Sequence, residues 1–160
     1  MRSPSRWFLV PSASVLLVSC VTSFFPRQDA LVWKPLPTNA VFVLDEPEVS
    51  TKPTTGDLKH TAFDLAQLEA RKAGISLEPG EGSVFDLKLT LEEREFGVDI
   101  DTYNSVSAVM KIWSREEEPV LVGQIVYAED TKLTLRSANY LDHVLESLFQ
   151  QLSQKLKEKK

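Results

Sequence analysis

The sequence predicts an α+β domain, a two-layer sandwich of a mainly antiparallel sheet of about four strands with two helices on one face. Three observations predict it. Apolar and polar residues alternate strictly over 85–92, two further short apolar segments follow at 106–113 and 120–127, and leucines recur at three- and four-residue steps over 138–157. Alternation buries one face of a strand, and the three- and four-residue step is that of an amphipathic helix.

The N-terminal segment differs in kind from the remainder of the chain. Arg2 and Arg6 precede an apolar stretch that begins at Trp7, and no acidic residue occurs before Asp29. A basic start followed by an apolar middle is typical of an export signal. The stretch is too short for a transmembrane helix, which needs about 20 apolar residues.

This apolar stretch ends in Leu17-Val18-Ser19-Cys20, which resembles the lipobox of bacterial lipoproteins. The resemblance implies that residues 1–19 are a signal peptide that is cleaved off. It also implies that a diacylglycerol, with palmitate or similar acyl chains, is attached to the Cys20 thiol. The alternatives are an ordinary cleaved signal peptide with an incidental cysteine, and an uncleaved anchor.

Residues 20–39 are predicted to be the lipidated cysteine and a tether, because they contain three prolines and no sustained periodicity. Removal of residues 1–19 takes away two arginines and no acids, so the mature chain is more negative than the full chain, whose formal charge is −5. An acidic body is repelled by anionic headgroups, and the lipid must therefore hold it to the membrane. Val21 follows the cysteine where some inner-membrane lipoproteins carry aspartate, and this resemblance favours the outer membrane, facing the periplasm.

A strand and a helix are the first predicted elements after the tether. Residues 40–44 form a short apolar run typical of a buried strand, and the proline- and threonine-bearing segment 45–56 is typical of a loop. A helix is predicted from Leu58 to Ala73. Gly74 is well placed as the left-handed residue that ends it.

Three strands and a second helix follow, joined by polar turns. The strands are predicted at 85–96, 106–113 and 120–127, and the helix at 138–157 with Ser137 as its cap. The longest of the turns is predicted at 97–104. Short connections between the strands indicate an antiparallel meander. Residues 40–160 are therefore predicted to form a single domain with the element order β-α-β-β-β-α.

Composition argues against several classes of function. One cysteine excludes an internal disulfide and a Cys-based zinc site. The net negative charge and the lack of a basic stripe argue against nucleic acid as a partner.

The candidate catalytic and metal-binding residues do not form a recognised motif. His60 and His143 are the two histidines, and no Gly-x-Ser-x-Gly turn accompanies them as a nucleophile. Asp99, Asp101 and Asn104 begin like a calcium loop, but the closing glutamate is missing. We therefore expect surface histidines, a hairpin turn, no metal, no cofactor and no enzymatic activity.

The second and third predicted meander strands carry apolar residues on both faces. With the helices on one side, the other side is expected to expose Val109, Trp113 and some of Leu121, Ile125 and Tyr127. Exposed apolar patches of a few hundred Å² commonly mark interaction sites. The alternative is that the chain before the first helix folds back over this face.

The body also resembles small envelope lipoproteins of diderm bacteria, of the lipopolysaccharide-transport and ABC-transport auxiliary type. The segments that carry the resemblance are 84–91, 105–113, 120–127 and 140–145. It implies a non-catalytic binding, scaffold or auxiliary subunit of an envelope transport or assembly complex, with a protein partner. A carrier of a lipid or other apolar ligand is one alternative and requires an enclosed apolar cavity; an enzyme is another.

Overall fold

The computed structural model describes residues 32–37, 39–51, 56–77, 82–98 and 101–158. Cys20 and the signal peptide lie outside the described residues. The elements are β1 (Val41–Leu44), β2 (Glu48–Ser50), α1 (Gly56–Lys72), β3 (Val84–Val98), β4 (Asp101–Ser114), β5 (Leu121–Thr131) and α2 (Ala138–Lys157). Two helices and a mostly antiparallel five-stranded sheet make up an α+β fold, and this confirms the predicted class.

The sheet has the strand order β1-β3-β4-β5, with β2 also paired to β3. β3, β4 and β5 form the predicted antiparallel meander, whereas β1 and β2 run parallel to β3. β2 was not expected, since its residues fall in the predicted loop 45–56. Three residues are too few to show a period, and their strand conformation comes from pairing with Thr90, Leu91 and Glu92 of β3.

The β3–β4 hairpin is longer than predicted. The turn expected at 97–104 is wrong, because Gly97 pairs with Thr102 and Phe96 with Tyr103. The rings of Phe96 and Tyr103 stack with their centroids 5.9 Å apart. Cross-strand aromatic pairs of this kind stabilise a hairpin, and the polar residues around them are tolerated because they point to solvent.

The core lies between the helices and the sheet face that we call the helix face. On β3 this face carries Leu87, Leu89 and Leu91, and on β4 it carries Val106, Ala108, Met110 and Ile112, all at most 1% exposed. α2 covers them with the predicted leucine stripe: Leu141, Val144, Leu145, Leu148 and Leu152 are buried. Each such side chain contributes about 1.5–3 kcal/mol when fully buried, so this contact accounts for much of the domain's stability.

The end of α1 confirms the sequence prediction, and the start of α2 confirms it in part. Gly74 has φ of 73°, and its N–H donates to Arg71 O while Ile75 N–H donates to Ala70 O. These two bonds are those of a Schellman motif, which needs a left-handed residue. Ser137 occupies the N-cap position of α2, but its side chain makes no capping hydrogen bond.

The chain before β1 lies along the outer edge of β5. Lys34 N–H donates to Val122 O at 2.7 Å, and Gln124 N–H donates to Val32 O at 2.9 Å. Between them the Trp33 ring lies over Gly123, where a Cβ atom would come within 2.9 Å of the indole. The described part of this segment thus covers a sheet edge and does not fold back over the face opposite the helices.

Replacement of Gly123 by alanine tests this contact. The added methyl displaces Trp33, and we expect the free energy of unfolding to fall by about 1–3 kcal/mol, as overpacking does elsewhere. Urea unfolding measures it. In a Trp33→Ala background the penalty should be much smaller, because the two closest contacts, both with the indole, are gone and only that with Ile112 Cδ1 at 3.1 Å remains. An equal penalty in both backgrounds would contradict the assignment.

Candidate docking surface

The sheet face opposite the helices, here called the far face, carries the alternate residues of the same strands. β3 contributes Asp86, Lys88 and Thr90, which pair with Trp113, Lys111 and Val109 of β4. Residues directly paired across antiparallel strands share a face. Both helices bury their apolar stripes on the helix face, so neither covers these side chains.

Apolar side chains form two cross-strand pairs on the far face, with the pair of Lys111 and Gln124 between them. Val109 pairs with Val126, and Trp113 pairs with Leu121. All four are neither buried nor fully exposed. We call these four residues the far-face patch. Val109, Trp113 and Leu121 were predicted from the sequence, whereas Val126 was not.

The structure corrects two members of the predicted patch. Ile125 is 2% exposed and pairs with Met110 on the helix face, and Tyr127 pairs with Ala108 there. A register shift between Ile112 and Trp113 is the reason. Such a bulge places two residues of one strand against one of the other. The alternation of faces along β5 therefore shifts by one residue at the bulge, so Leu121 lies on the far face whereas Ile125 lies on the helix face.

The indole of Trp113 has an enclosed nitrogen without a partner. Its Nε1 is buried and donates no hydrogen bond to any described residue. An unsatisfied buried donor costs roughly 1–3 kcal/mol.

A cleft of about 230 Å³ opens beside Trp113, between β3–β4 and the segment that joins β1 to β2. Its charged walls are Asp45, Glu46, Glu48, Lys88 and Lys111. Lys88 lies directly opposite Lys111 in the sheet, an unfavourable pairing of like charges, and its ammonium lies 3.7 Å from the Asp45 carboxylate. The cleft thus presents both signs of charge around one aromatic ring.

Exposed ion pairs surround the far-face patch. Arg115 Nε donates to Asp86 Oδ1 at 2.6 Å, and Arg94 lies 3.4 Å from Glu92. Exposed pairs of this kind contribute about 0–1 kcal/mol and weaken in salt. They keep the rim of the far face hydrated, and a polar rim is typical of protein interfaces.

The two histidines lie on different helices. His60 on α1 is 82% exposed at its side chain and its Nε2 lies 3.6 Å from Asp64. His143 on α2 is exposed, and its ring meets the edge of Tyr127 at 6.3 Å. Within the ranges that the structure describes, no group of three or more His, Cys, Asp or Glu side chains could hold a metal ion.

The residues suspected of forming a calcium loop have other placements. Asp99 lies outside the described residues. Asn104 Nδ2 donates to the Leu133 carbonyl at 2.9 Å, so it joins the β3–β4 hairpin to the loop after β5. The acidic turn around Glu117 is exposed.

Two tyrosines share one carboxylate between β5 and α2. The hydroxyls of Tyr127 and Tyr140 both donate to Glu129 Oε2, the latter at 3.0 Å. Burial, helped by the bond to Glu129, raises the pKa of Tyr127 to about 12. Burial also raises the pKa of Tyr140 above its usual value. The cluster fastens the helix layer to the sheet.

The Glu93 carboxylate likewise joins the sheet to the loop before α2, a contact that the sequence did not predict. The carboxylate accepts hydrogen bonds from Thr134 Oγ1 at 2.9 Å and from Leu135 N–H at 2.7 Å. The partners lie about forty residues away along the chain, and no local pattern signals the contact. Both carboxylate clusters hold the loop and helix that follow β5 in place, and both lie on the helix face of the sheet.

The space between the helices and the sheet is filled by side chains, of which Phe42, Phe149 and Met110 are among the largest that are fully buried. A cleft of about 630 Å³ lies elsewhere, beside β1 at the C-terminal ends of both helices. It is open and its lining mixes apolar groups with Asn39, Ser153 and other polar groups. This is not the enclosed apolar cavity that a lipid carrier requires.

Comparison with known proteins identifies the fold. No protein-family model matches the sequence, and no curated protein matches it significantly. Among solved structures, a point variant of PelC from Paraburkholderia phytofirmans, a dodecamer, superimposes with a TM-score of 0.52 and 18% identity, over 81% of this chain and 96% of PelC. The chain shares its fold with PelC.

Two further structures are weaker matches. A minor lipoprotein from Acinetobacter baumannii has a TM-score of 0.42 and 14% identity, over 78% of this chain and 94% of its own. Lipoprotein GNA1162 from Neisseria meningitidis has 0.44 and 12%, over 72% and 99%.

Within the described part of the chain, neither helix combines the length and the apolarity that a membrane-spanning segment needs.

The tyrosine cluster predicts how stability changes in alkali. Because the pKa of Tyr127 in the folded state exceeds its ordinary value of 10.0 and reaches about 12, its contribution is complete below pH 10 and is lost as the pH rises towards 12. Tyr127→Phe should lower the free energy of unfolding by about 1 kcal/mol at neutral pH. The variant should then lose less stability than the parent between pH 10 and pH 12, as measured by urea unfolding. Parallel losses in the two proteins would contradict this assignment.

Proposed function

We propose that this chain is a lipid-anchored, non-catalytic scaffold subunit of an envelope assembly, and that it docks a protein partner through the far-face patch. One observation carries the proposal. A sheet face that neither helix covers bears four apolar side chains, one of which is the large indole of Trp113. A protein interface supplies apolar contact for such side chains.

The proposed location is the outer membrane, with the domain facing the periplasm. The lipobox resemblance of residues 17–20 supports it, and so does the negative charge of the mature chain. A negatively charged domain gains little from lipid headgroups. One acyl chain binds a membrane only weakly, so stable residence requires more than one chain on Cys20.

The proposed partner is a further copy of this chain. PelC, which shares the fold, is a dodecamer. An assembly of identical subunits also accounts for a far face that carries both signs of charge, since a surface that meets a copy of itself needs to complement its own charges. A different envelope protein on the same patch would keep the scaffold role and change only the identity of the partner.

The anchor is tested by metabolic labelling with radioactive palmitate. The parent chain should incorporate label, and Cys20→Ser should lose it completely and leave the membrane fraction, because no other cysteine is present. Cys20→Ser protein that still carries label would rule out lipidation at this residue.

The docking surface is tested by replacing Trp113 with aspartate. A charge in place of the largest apolar side chain of the patch should reduce assembly at least about tenfold, as hot-spot substitutions at interfaces do, measured as molar mass by light scattering of the detergent-solubilised lipoprotein. Leu68→Asp is the matched control, since Leu68 is 44% exposed on α1 and α1 packs on the opposite face.

Circular dichroism and thermal unfolding must show that both variants fold. If Trp113→Asp is folded and assembles like the parent chain, the patch is not the docking surface. If Leu68→Asp is the variant that loses assembly, the helix layer holds the interface instead.

A further inference from the structure

The β3–β4 hairpin extends past the rest of the sheet and carries exposed apolar groups. The last pair between β4 and β5 is Asn104 with Thr131, whereas β3 and β4 continue to the pair of Val98 with Asp101. Phe96 near this tip is 36% exposed. Leu133, in the loop after β5, is 52% exposed.

These groups meet at one end of the sheet, although the side chains of Tyr103 and Asn104 point to its two opposite faces. The Phe96 and Tyr103 rings stack, the Lys132 ammonium lies 5.0 Å from the centre of the Tyr103 ring, and Asn104 holds the Leu133 carbonyl. We call Phe96, Tyr103, Lys132 and Leu133 the hairpin end. It combines apolar side chains, a tyrosine and a cation, the composition found at membrane interfaces.

The direction of the chain relates this surface to the anchor. Val32 and Trp33 run antiparallel to β5, with Trp33 opposite Gly123. At Val32 the chain, followed towards its N-terminus, therefore points along β5 towards Thr131, and thus towards the hairpin end. To lead to the opposite end of the sheet it would have to reverse.

The distances allow the anchor to reach that end. Cys20 precedes Val32 by twelve residues, and an extended chain of that length reaches about 40 Å. From Gln124 to the end of β5 is about 24 Å, and the hairpin continues for about 10 Å more, at the usual rise per strand residue. An anchor at Cys20 can therefore lie level with the tip of the hairpin.

We infer that the hairpin end faces the bilayer and that Phe96, Tyr103 and Leu133 lie in its interface. This inference rests on the proposed lipid anchor and adds an orientation to it. The far-face patch then stands on the side of a domain whose long strands rise from the membrane, where it meets neighbouring subunits anchored in the same plane. The hairpin end thus gives the subunits a common tilt.

The charged side chains around the hairpin end indicate the kind of lipid headgroup that it contacts. Glu95, Glu129 and Asp130 are exposed around it, and so are Arg94 and Arg136. Together with Lys132 the cations only equal these acids, and the full chain has a net negative charge. Anionic headgroups repel a negative chain that presents no excess of cations to them. The partner is therefore a zwitterionic lipid surface.

Depth-dependent quenching tests the orientation. The lipidated chain has no free thiol, so Leu133→Cys can carry a single environment-sensitive fluorophore, with Glu117→Cys as the matched control at the opposite end of the sheet. Both proteins are reconstituted into phosphatidylcholine vesicles that contain a lipid with a nitroxide near its headgroup. We expect at least about twofold quenching at residue 133, because interfacial side chains lie about 5–10 Å deep, and almost none at residue 117.

A second change distinguishes insertion from mere proximity. Phe96→Asp should reduce quenching of the label at residue 133, and anionic lipid in the vesicles should reduce it too. Vesicle flotation is measured in every case. Protein that floats but is quenched equally at both positions, or more at residue 117, would overturn the orientation and leave the anchor intact. Protein that does not float would overturn the anchor, and the orientation with it.

Discussion

The packing of α2 on the helix face of β4 is the contact on which the remainder of this structure depends. Val106, Ala108, Met110 and Ile112 are all fully buried beneath it. Because a strand has only two faces, burial of these residues assigns every intervening residue of β4 to the other side. The partial exposure of Val109 and Trp113 is therefore a consequence of core packing. Serine or threonine at these positions would favour solubility, so the presence of apolar residues there requires a functional explanation.

The side-chain hydrogen bonds that hold α2 and the loop before it in place lie on the helix side of the sheet. Glu129 and Glu93 collect hydrogen bonds from Tyr127, Tyr140, Thr134 and their neighbours on the helix side. These hydrogen bonds are made within the domain, and they stabilise the fold. The far side differs, since it carries the apolar side chains of the far-face patch, which neither helix covers. This difference supports the proposed scaffold role, in which a partner covers the far face.

Local patterns predicted most of the fold, and non-local pairing accounts for what they missed. The bounds of α2 agree with the prediction because a long leucine period is unambiguous. β2 was missed because its three residues become a strand only through β3. Ile125 and Tyr127 were assigned to the wrong face because a bulge opposite Trp113 breaks the alternation. Of the candidate site, Val109 and Trp113 followed from alternation alone, whereas the role of Cys20 comes only from its resemblance to a lipobox.

The central claim is that the far face meets a protein partner in the envelope, and crosslinking from that face in cells tests it most directly. A photoreactive phenylalanine analogue at Val109, in the wild-type lipidated chain, should give crosslinks to a neighbouring subunit of the same protein. The analogue at Leu68, on the helix layer, should give few. Crosslinks that form from position 68 and not from position 109 would contradict the account.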